Sequence, residues 1–184
     1  MFYGNFKQKG ETMARYFFIF ILILLAALSR LLPHPPNVAP ITALALFGGV
    51  YLDKKHIFVV PIAAMLISDY FLGFHSEMIW VYASFSAIGL IGLWLRNHQG
   101  ILTTVGATLV GSILFFVVTN FGVWLSPFFM YSRDLSGLIQ CYLAAIPFFK
   151  NTLLGDIFYV GMIFGVFELA KRFIPSLNLK PNVL

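Results

Sequence analysis

Ten residues of this chain carry side chains suited to holding a small polar molecule: Arg30, His34, Asn37, Asp69, Tyr70, Asn120, Trp124, Tyr142, Asn151 and Asp156. Arg30 supplies a rigid fork of donors, either for an anionic ligand group or as counter-ion to Asp69 or Asp156. Asn37, Asn120 and Asn151 offer directional hydrogen bonds, and the aromatic rings offer stacking area. This is the chemistry of recognition. The sequence has no GxxxxGK[ST] phosphate loop, no HExxH, no GxSxG and no CxxC, so it cannot burn nucleotide by the phosphate-loop route. His34 and His75 show no metal-ligand spacing, and the single Cys141 reads as a small apolar packing residue. Neither a cofactor nor a metal is implied. Two rival readings stand beside ligand binding. In one, Asp69 and Asp156 form the acid/base pair of a membrane enzyme with His34 or His75. In the other, Arg30 and its carboxylate are a structural pair in an assembly subunit.

Those residues must be positioned by helices in a bilayer. The chain has 184 residues, 60% hydrophobic and 10% charged, with a mean hydropathy of +0.89. Soluble domains are about a quarter charged, so this chain lacks the polar residues to clothe a water-facing surface. The net charge of +5 does not point to nucleic acid, because the Lys and Arg stand singly or in pairs between apolar runs. A bilayer crossing takes about 20 helical residues, which leaves room for five to seven short-looped helices and no separate soluble domain.

Apolar runs bounded by charges and turn residues predict six spans: about Met13–Leu32, Val38–Leu52, His56–Gly73, Met78–Leu95, Ile101–Leu125 and Thr152–Phe173. The stretch Leu135–Phe149 is apolar but short and broken by Pro147, which suits an interfacial or re-entrant helix. Residues 1–12 read as an N-terminal extension, 13–173 as one membrane domain and 174–184 as a tail. Met13 is an alternative start, and the run ending Ala27-Leu28-Ser29 also resembles a cleaved secretory signal.

Positive charge sets the orientation. With six spans and both termini cytoplasmic, Lys7, Lys9, Arg15, Lys54, Lys55, Arg96, Lys171, Arg172 and Lys180 fall inside, and Arg30, Arg133 and Lys150 outside. A seventh span over Leu135–Phe149 spoils that asymmetry. The six-span arrangement brings Arg30, Asp69, Asn120 and Asp156, from four different helices, to a similar depth in the outer leaflet. An ionisable group at that depth costs about 3 kcal/mol on insertion scales, so it faces the protein interior and a partner. The expectation is an outward-facing pocket roofed by outer loops. Gly161-Met-Ile-Phe-Gly165 is a GxxxG, a motif that serves either helix packing within the chain or a docking face for a partner membrane protein, and sequence alone does not separate the two.

The runs Arg30-Leu-Leu-Pro-His-Pro-Pro-Asn37-Val-Ala-Pro40, Ser68-Asp69-Tyr-Phe-Leu-Gly73, Thr119-Asn120-Phe-Gly-Val-Trp124 and Ala144-Ala-Ile-Pro-Phe-Phe-Lys-Asn-Thr-Leu-Leu-Gly-Asp156 resemble a family of small, uncharacterised bacterial membrane proteins. That family in turn resembles the substrate-binding S components of energy-coupling factor transporters. The resemblance implies an all-α, six-helix bundle in the bacterial inner membrane that captures a vitamin-like compound or metal species. It implies a membrane coupling protein with ATPases as partner, which would supply the missing phosphate loop. S components commonly dock through an alanine-rich AxxxA surface in the first span; here that span offers Ala26 and Ala27.

Overall fold

The computed structural model describes residues 17–18, 20–128, 131–174 and 177. The predicted extension 1–12, the alternative start at Met13, the charges Lys7, Lys9, Arg15 and Lys180, and nearly all of the tail beyond 174 lie outside the described residues. Among the described residues the fold is all-helical, with no strand. Its elements are α1 (Phe20–Leu31), α2 (Ile41–Tyr51), a 3-10 turn (Lys54–His56), α3 (Val59–Leu72), α4 (Met78–Leu95), α5 (Ile101–Leu125) and α6 (Leu135–Phe173).

Local chemistry sets the boundaries. Pro33 disfavours helical backbone at the residue before it, and α1 stops there. Pro61 lies in the first turn of α3, where a missing N–H costs no intrahelical bond. Gly73 ends α3 at φ 95, a conformation that needs glycine, and returns its N–H to the Asp69 carbonyl at 2.9 Å. Asp134 caps α6 by accepting from the Gly137 N–H at 2.8 Å.

The last helix corrects an expectation. Leu135–Phe149 is not a separate interfacial or re-entrant helix but the first part of a 39-residue α6 that runs through Pro147. At 1.5 Å per residue it is about 58 Å long, roughly twice the thickness of a hydrocarbon core. The proline removes one backbone donor, and packing on α5 holds the helix together across it. Tyr142 donates to the Val117 carbonyl at 2.7 Å, the Cys141 thiol to the Asn120 carbonyl at 3.4 Å, and Phe149 packs on Phe116. Helices in apolar surroundings tolerate proline when neighbours restrain them in this way.

The core is built around α2. Every residue from Ile41 to Val50 is buried, so this 11-residue helix, about 16 Å long, is a plug wrapped by the others. It packs against α3, α4, α5 and α6, and Ala26 of α1 joins the same core. Its crossing with α4 needs glycine on both sides. A Cβ at Gly49 would lie 2.4 Å from the Gly89 carbonyl oxygen, and one at Gly92 would lie 2.4 Å from the Leu46 carbonyl oxygen. Beyond the crossing, Arg96 donates to the Gly49 carbonyl from Nε at 3.0 Å and Nη2 at 2.7 Å, and also to the Leu52 carbonyl. Arg96 therefore satisfies carbonyls that the short helix leaves unpaired at its C-terminus.

Three helices, α4, α5 and α6, are long and apolar enough to cross a membrane; α1, α2 and α3 are shorter. The outer faces of the long helices are apolar too, with Val110, Ile113, Phe158 and Val166 all exposed. Such a surface suits a lipid solvent, not water. The two readings of the GxxxG part here. Gly161 and Gly165 are exposed, and a Cβ at either meets nothing within 4 Å, so among the described residues they do not pack helices together.

Candidate functional site

The site is assembled at the end of the bundle where α1 and α3 finish. Arg30, in the last turn of α1, donates through Nη1 to Asp69 Oδ1 at 2.7 Å and also to the Ser68 hydroxyl. Tyr82 of α4 donates to the other oxygen, Asp69 Oδ2, at 2.8 Å. Asp69 is 1% exposed, and both its oxygens are engaged. The sequence left Arg30 with two possible counter-ions, and the structure selects Asp69. No salt bridge reaches Asp156 among the described residues. That carboxyl is 2% exposed, and it accepts from the Ser112 hydroxyl at 2.7 Å, with Thr42 as a second hydroxyl neighbour.

Two adjoining cavities open beside these groups. The first, about 280 Å³, is lined by Arg30, His34, Asn37, Thr42, His75, Phe85 and Asp156 among others. The second, about 340 Å³, is lined by Asn37, Glu77, Thr119, Asn120 and Phe148 among others. Asn37, Val81, Phe115 and Thr152 line both, so the two form one bilobed space. Its size and mixed lining are those of a small-molecule site.

Asn37 is held at that junction by the turn it belongs to. The Val38 N–H donates to the Pro35 carbonyl at 3.1 Å, Pro36 occupies the second position, and Asn37 takes φ 64. Proline second and a left-handed residue third is the pattern of a type II turn, and asparagine tolerates that conformation better than most residues. Asn151 fastens the turn to α6 by donating to the Pro36 carbonyl at 3.2 Å. Asn120 spends its amide N–H on the Phe116 carbonyl at 2.8 Å, which leaves its Oδ1 without a partner among the described residues. His34 donates from Nδ1 to the Leu32 carbonyl at 2.6 Å. Glu77 lies 3.6 Å from His75 Nδ1. Burial opposes ionisation of Glu77, but hydrogen bonds from Ser76 and Ser126 and the neighbouring imidazole outweigh it, holding the carboxyl below its usual range.

A family model described as a family of unknown function, DUF6580, matches residues 11–177. The chain belongs to the DUF6580 family. No curated protein and no solved structure matches it.

In this DUF6580 protein, five of the ten sequence-selected residues line the bilobed space: Arg30, His34, Asn37, Asn120 and Asp156. Asp69 stands behind Arg30, and Asn151 acts through the Pro36 turn. Three lie elsewhere. Tyr70 is 73% exposed on the outside of α3. Trp124 donates to the Ser132 carbonyl at 2.9 Å and lies under Arg133, bracing the connection between α5 and α6. Tyr142 lines a separate apolar hollow with Phe116 and Leu138. Sequence reasoning missed Thr42 and Ser112, whose hydroxyls look like ordinary helix residues until Asp156 is placed beside them, and Thr152, which lines both lobes while its hydroxyl donates to the Phe148 carbonyl.

A larger cavity of about 530 Å³ lies toward the opposite end, between α5 and α6, with Gly161 and Gly165 in its wall. Its lining is mostly apolar, with Gln99, Thr104, Thr108 and the hydrogen-bonded pair Tyr51–Glu168 (2.6 Å) as its polar groups; unlike the bilobed space, it holds none of the ten sequence-selected residues. No group of three or more His, Cys, Asp or Glu that could hold a metal ion occurs among the described residues.

Proposed function

We propose that this DUF6580 protein is a substrate-capture subunit for uptake of a small molecule across the bacterial inner membrane, as S components of energy-coupling factor transporters are. The observation that carries the proposal is the bilobed space, with Arg30, Asn37, Asn120 and Asp156 converging on it from α1, the following turn, α5 and α6. Ionisable and amide groups converging on a cavity within a largely apolar bundle mark a binding path in membrane proteins.

In this reading the chain passes through the bilayer six times, the short α2 lying inside the bundle with non-helical chain completing its passage, with both termini cytoplasmic and the site facing outward. A continuous α6 supports the count, because it crosses once and keeps the positive charges predominantly inside. A membrane coupling protein with ATPases is the proposed energy source. Its docking surface is not an alanine face on α1, since Ala26 and Ala27 are buried within the bundle. The ligand is a vitamin-like compound or a metal species. The acid/base enzyme reading has less support, because both oxygens of Asp69 are engaged by Arg30 and Tyr82.

Native mass spectrometry of protein extracted gently from membranes, with a thermal-shift screen of vitamins, tests the proposal. A retained small molecule, lost in Asn120→Ala with the fold intact, is the expected result. A clean apo mass with no ligand-induced shift in the melting temperature counts against it.

A further inference from the structure

The charges around the bilobed space do not balance, and the imbalance has a chemical meaning. Arg30 is the one Lys or Arg lining either lobe among the described residues, and Asp69 already neutralises it at 2.7 Å. Two further carboxyls line the space, Asp156 in one lobe and Glu77 in the other. Glu77 has the His75 imidazole at 3.6 Å. Asp156 has hydroxyl neighbours, Ser112 and Thr42, and no salt bridge among the described residues; His34 and His75 line the same lobe. A buried carboxylate without a counter-charge is costly, and hydroxyls alone compensate only part of that cost.

The apolar part of the lining narrows what kind of cation fits. Phe85 and Phe115 line the Asp156 lobe with ring centroids 5.0 Å apart, and ring faces attract organic ammonium groups. Ile41, Met65 and Val81 complete that wall. A divalent metal would want several oxygen or nitrogen ligands converging within coordination distance. The described residues hold no such cluster.

We infer that the molecule held in this space is an organic cation or zwitterion whose positively charged nitrogen sits at Asp156, between the carboxyl and the rings of Phe85 and Phe115. The inference rests on the substrate-capture reading and specifies its ligand. An amine brings donors for the Asp156 oxygens and supplies the missing charge. If the ligand also carries an anionic group, the Nε and Nη2 donors of Arg30, which have no protein partner among the described residues, are there to receive it.

The test keeps the phenethyl skeleton and varies the charged group it carries. Phenethylamine, phenylalanine, 3-phenylpropionate and phenethyl alcohol are titrated onto the full-length protein in nanodiscs, with melting temperature and equilibrium dialysis as readouts. Small molecules that copurify are identified by native mass spectrometry. The amine and the zwitterion should bind and raise the melting temperature, while the anion and the alcohol bind at least about tenfold more weakly, as expected for loss of a charge-assisted contact. Asp156→Asn should erase that preference while leaving the unliganded melting curve near wild type. If the variant does not fold, the four-compound series on the wild type decides alone. Equal or tighter binding of the anion or alcohol, or a copurified molecule with no basic nitrogen, overturns the charge assignment and leaves the capture reading standing. A protein that binds none of the four and copurifies with nothing overturns both. If none of the four binds but a molecule copurifies, a basic nitrogen in it upholds the assignment.

Discussion

Arg30 and Asp69 form an ion pair between the last turn of α1 and the last turn of α3, with Arg30 Nη1 2.7 Å from the buried Asp69 Oδ1. The pair closes the end of the bundle where the bilobed space opens, and it fixes which carboxyl is neutralised. Breaking it from the cationic side strands a buried charge. Arg30→Ala should therefore destabilise the protein by about 3–5 kcal/mol. The double variant Arg30→Ala/Asp69→Asn should recover part of that loss, because the stranded charge is gone. Denaturation in detergent micelles, read as a double-mutant cycle, checks the coupling. An additive cycle would mean that the pair does not hold the helix ends together.

The crossing of α2 and α4 predicts a contrast among glycines. Gly49→Ala or Gly92→Ala puts a methyl group 2.4 Å from a backbone carbonyl oxygen. Neither backbone can yield without unpacking the buried α2, and a loss of about 1–3 kcal/mol or more is expected. Gly161→Ala and Gly165→Ala meet open space and should leave the melting temperature at or slightly above wild type, because alanine is the better helix former. Size-exclusion profiles after a temperature ramp separate the two pairs of variants.

Arg96 contributes more than a topology signal. Its bonds to the Gly49 and Leu52 carbonyls finish a helix too short to anchor its own C-terminus. Arg96→Gln should cost about 1.5–3 kcal/mol, the range for charge-assisted hydrogen bonds. Arg96→Lys keeps the positive-inside charge but loses the fork, and should restore only part of the stability. Full rescue by lysine would reduce Arg96 to a point charge.

Asp134 gives a pH signature at the exposed start of α6. Hydrogen bonds from the Gly137 N–H and the Ser132 hydroxyl hold its carboxyl below the ordinary 3.8. A depressed folded-state value means the cap stabilises above the unfolded value and fades as the pH falls through the folded one. Melting curves from pH 7 down to pH 3 should thus show a small fall at the acid end, and Asp134→Asn, which caps without titrating, should flatten it. An unchanged acid limb in Asp134→Asn would assign that fall to other carboxyls.

Composition alone pointed to a membrane, since 10% charge falls short of what covers a water-facing surface, and three of the helices are long and apolar enough to cross one. Apolar run lengths located α4 and α5 to the residue, because their ends coincide with charges and turn residues that no neighbour overrides. Periodicity could not tell whether Leu135–Phe149 stood apart from Thr152–Phe173. A proline inside a helix is decided by what packs around it, and the restraint on α6 comes from α5.

The candidate site divides the same way. Residue type and position brought Arg30, Asn37, Asn120 and Asp156 forward, because a polar group amid apolar helix is expensive wherever it sits. Sequence could not say that Arg30 belongs to Asp69, leaving Asp156 without a salt bridge among the described residues, nor that Ser112 and Thr42 attend that carboxyl. Charge pairing depends on distances of a few ångströms between helices far apart in the chain. Only the tertiary packing around α2 sets those distances.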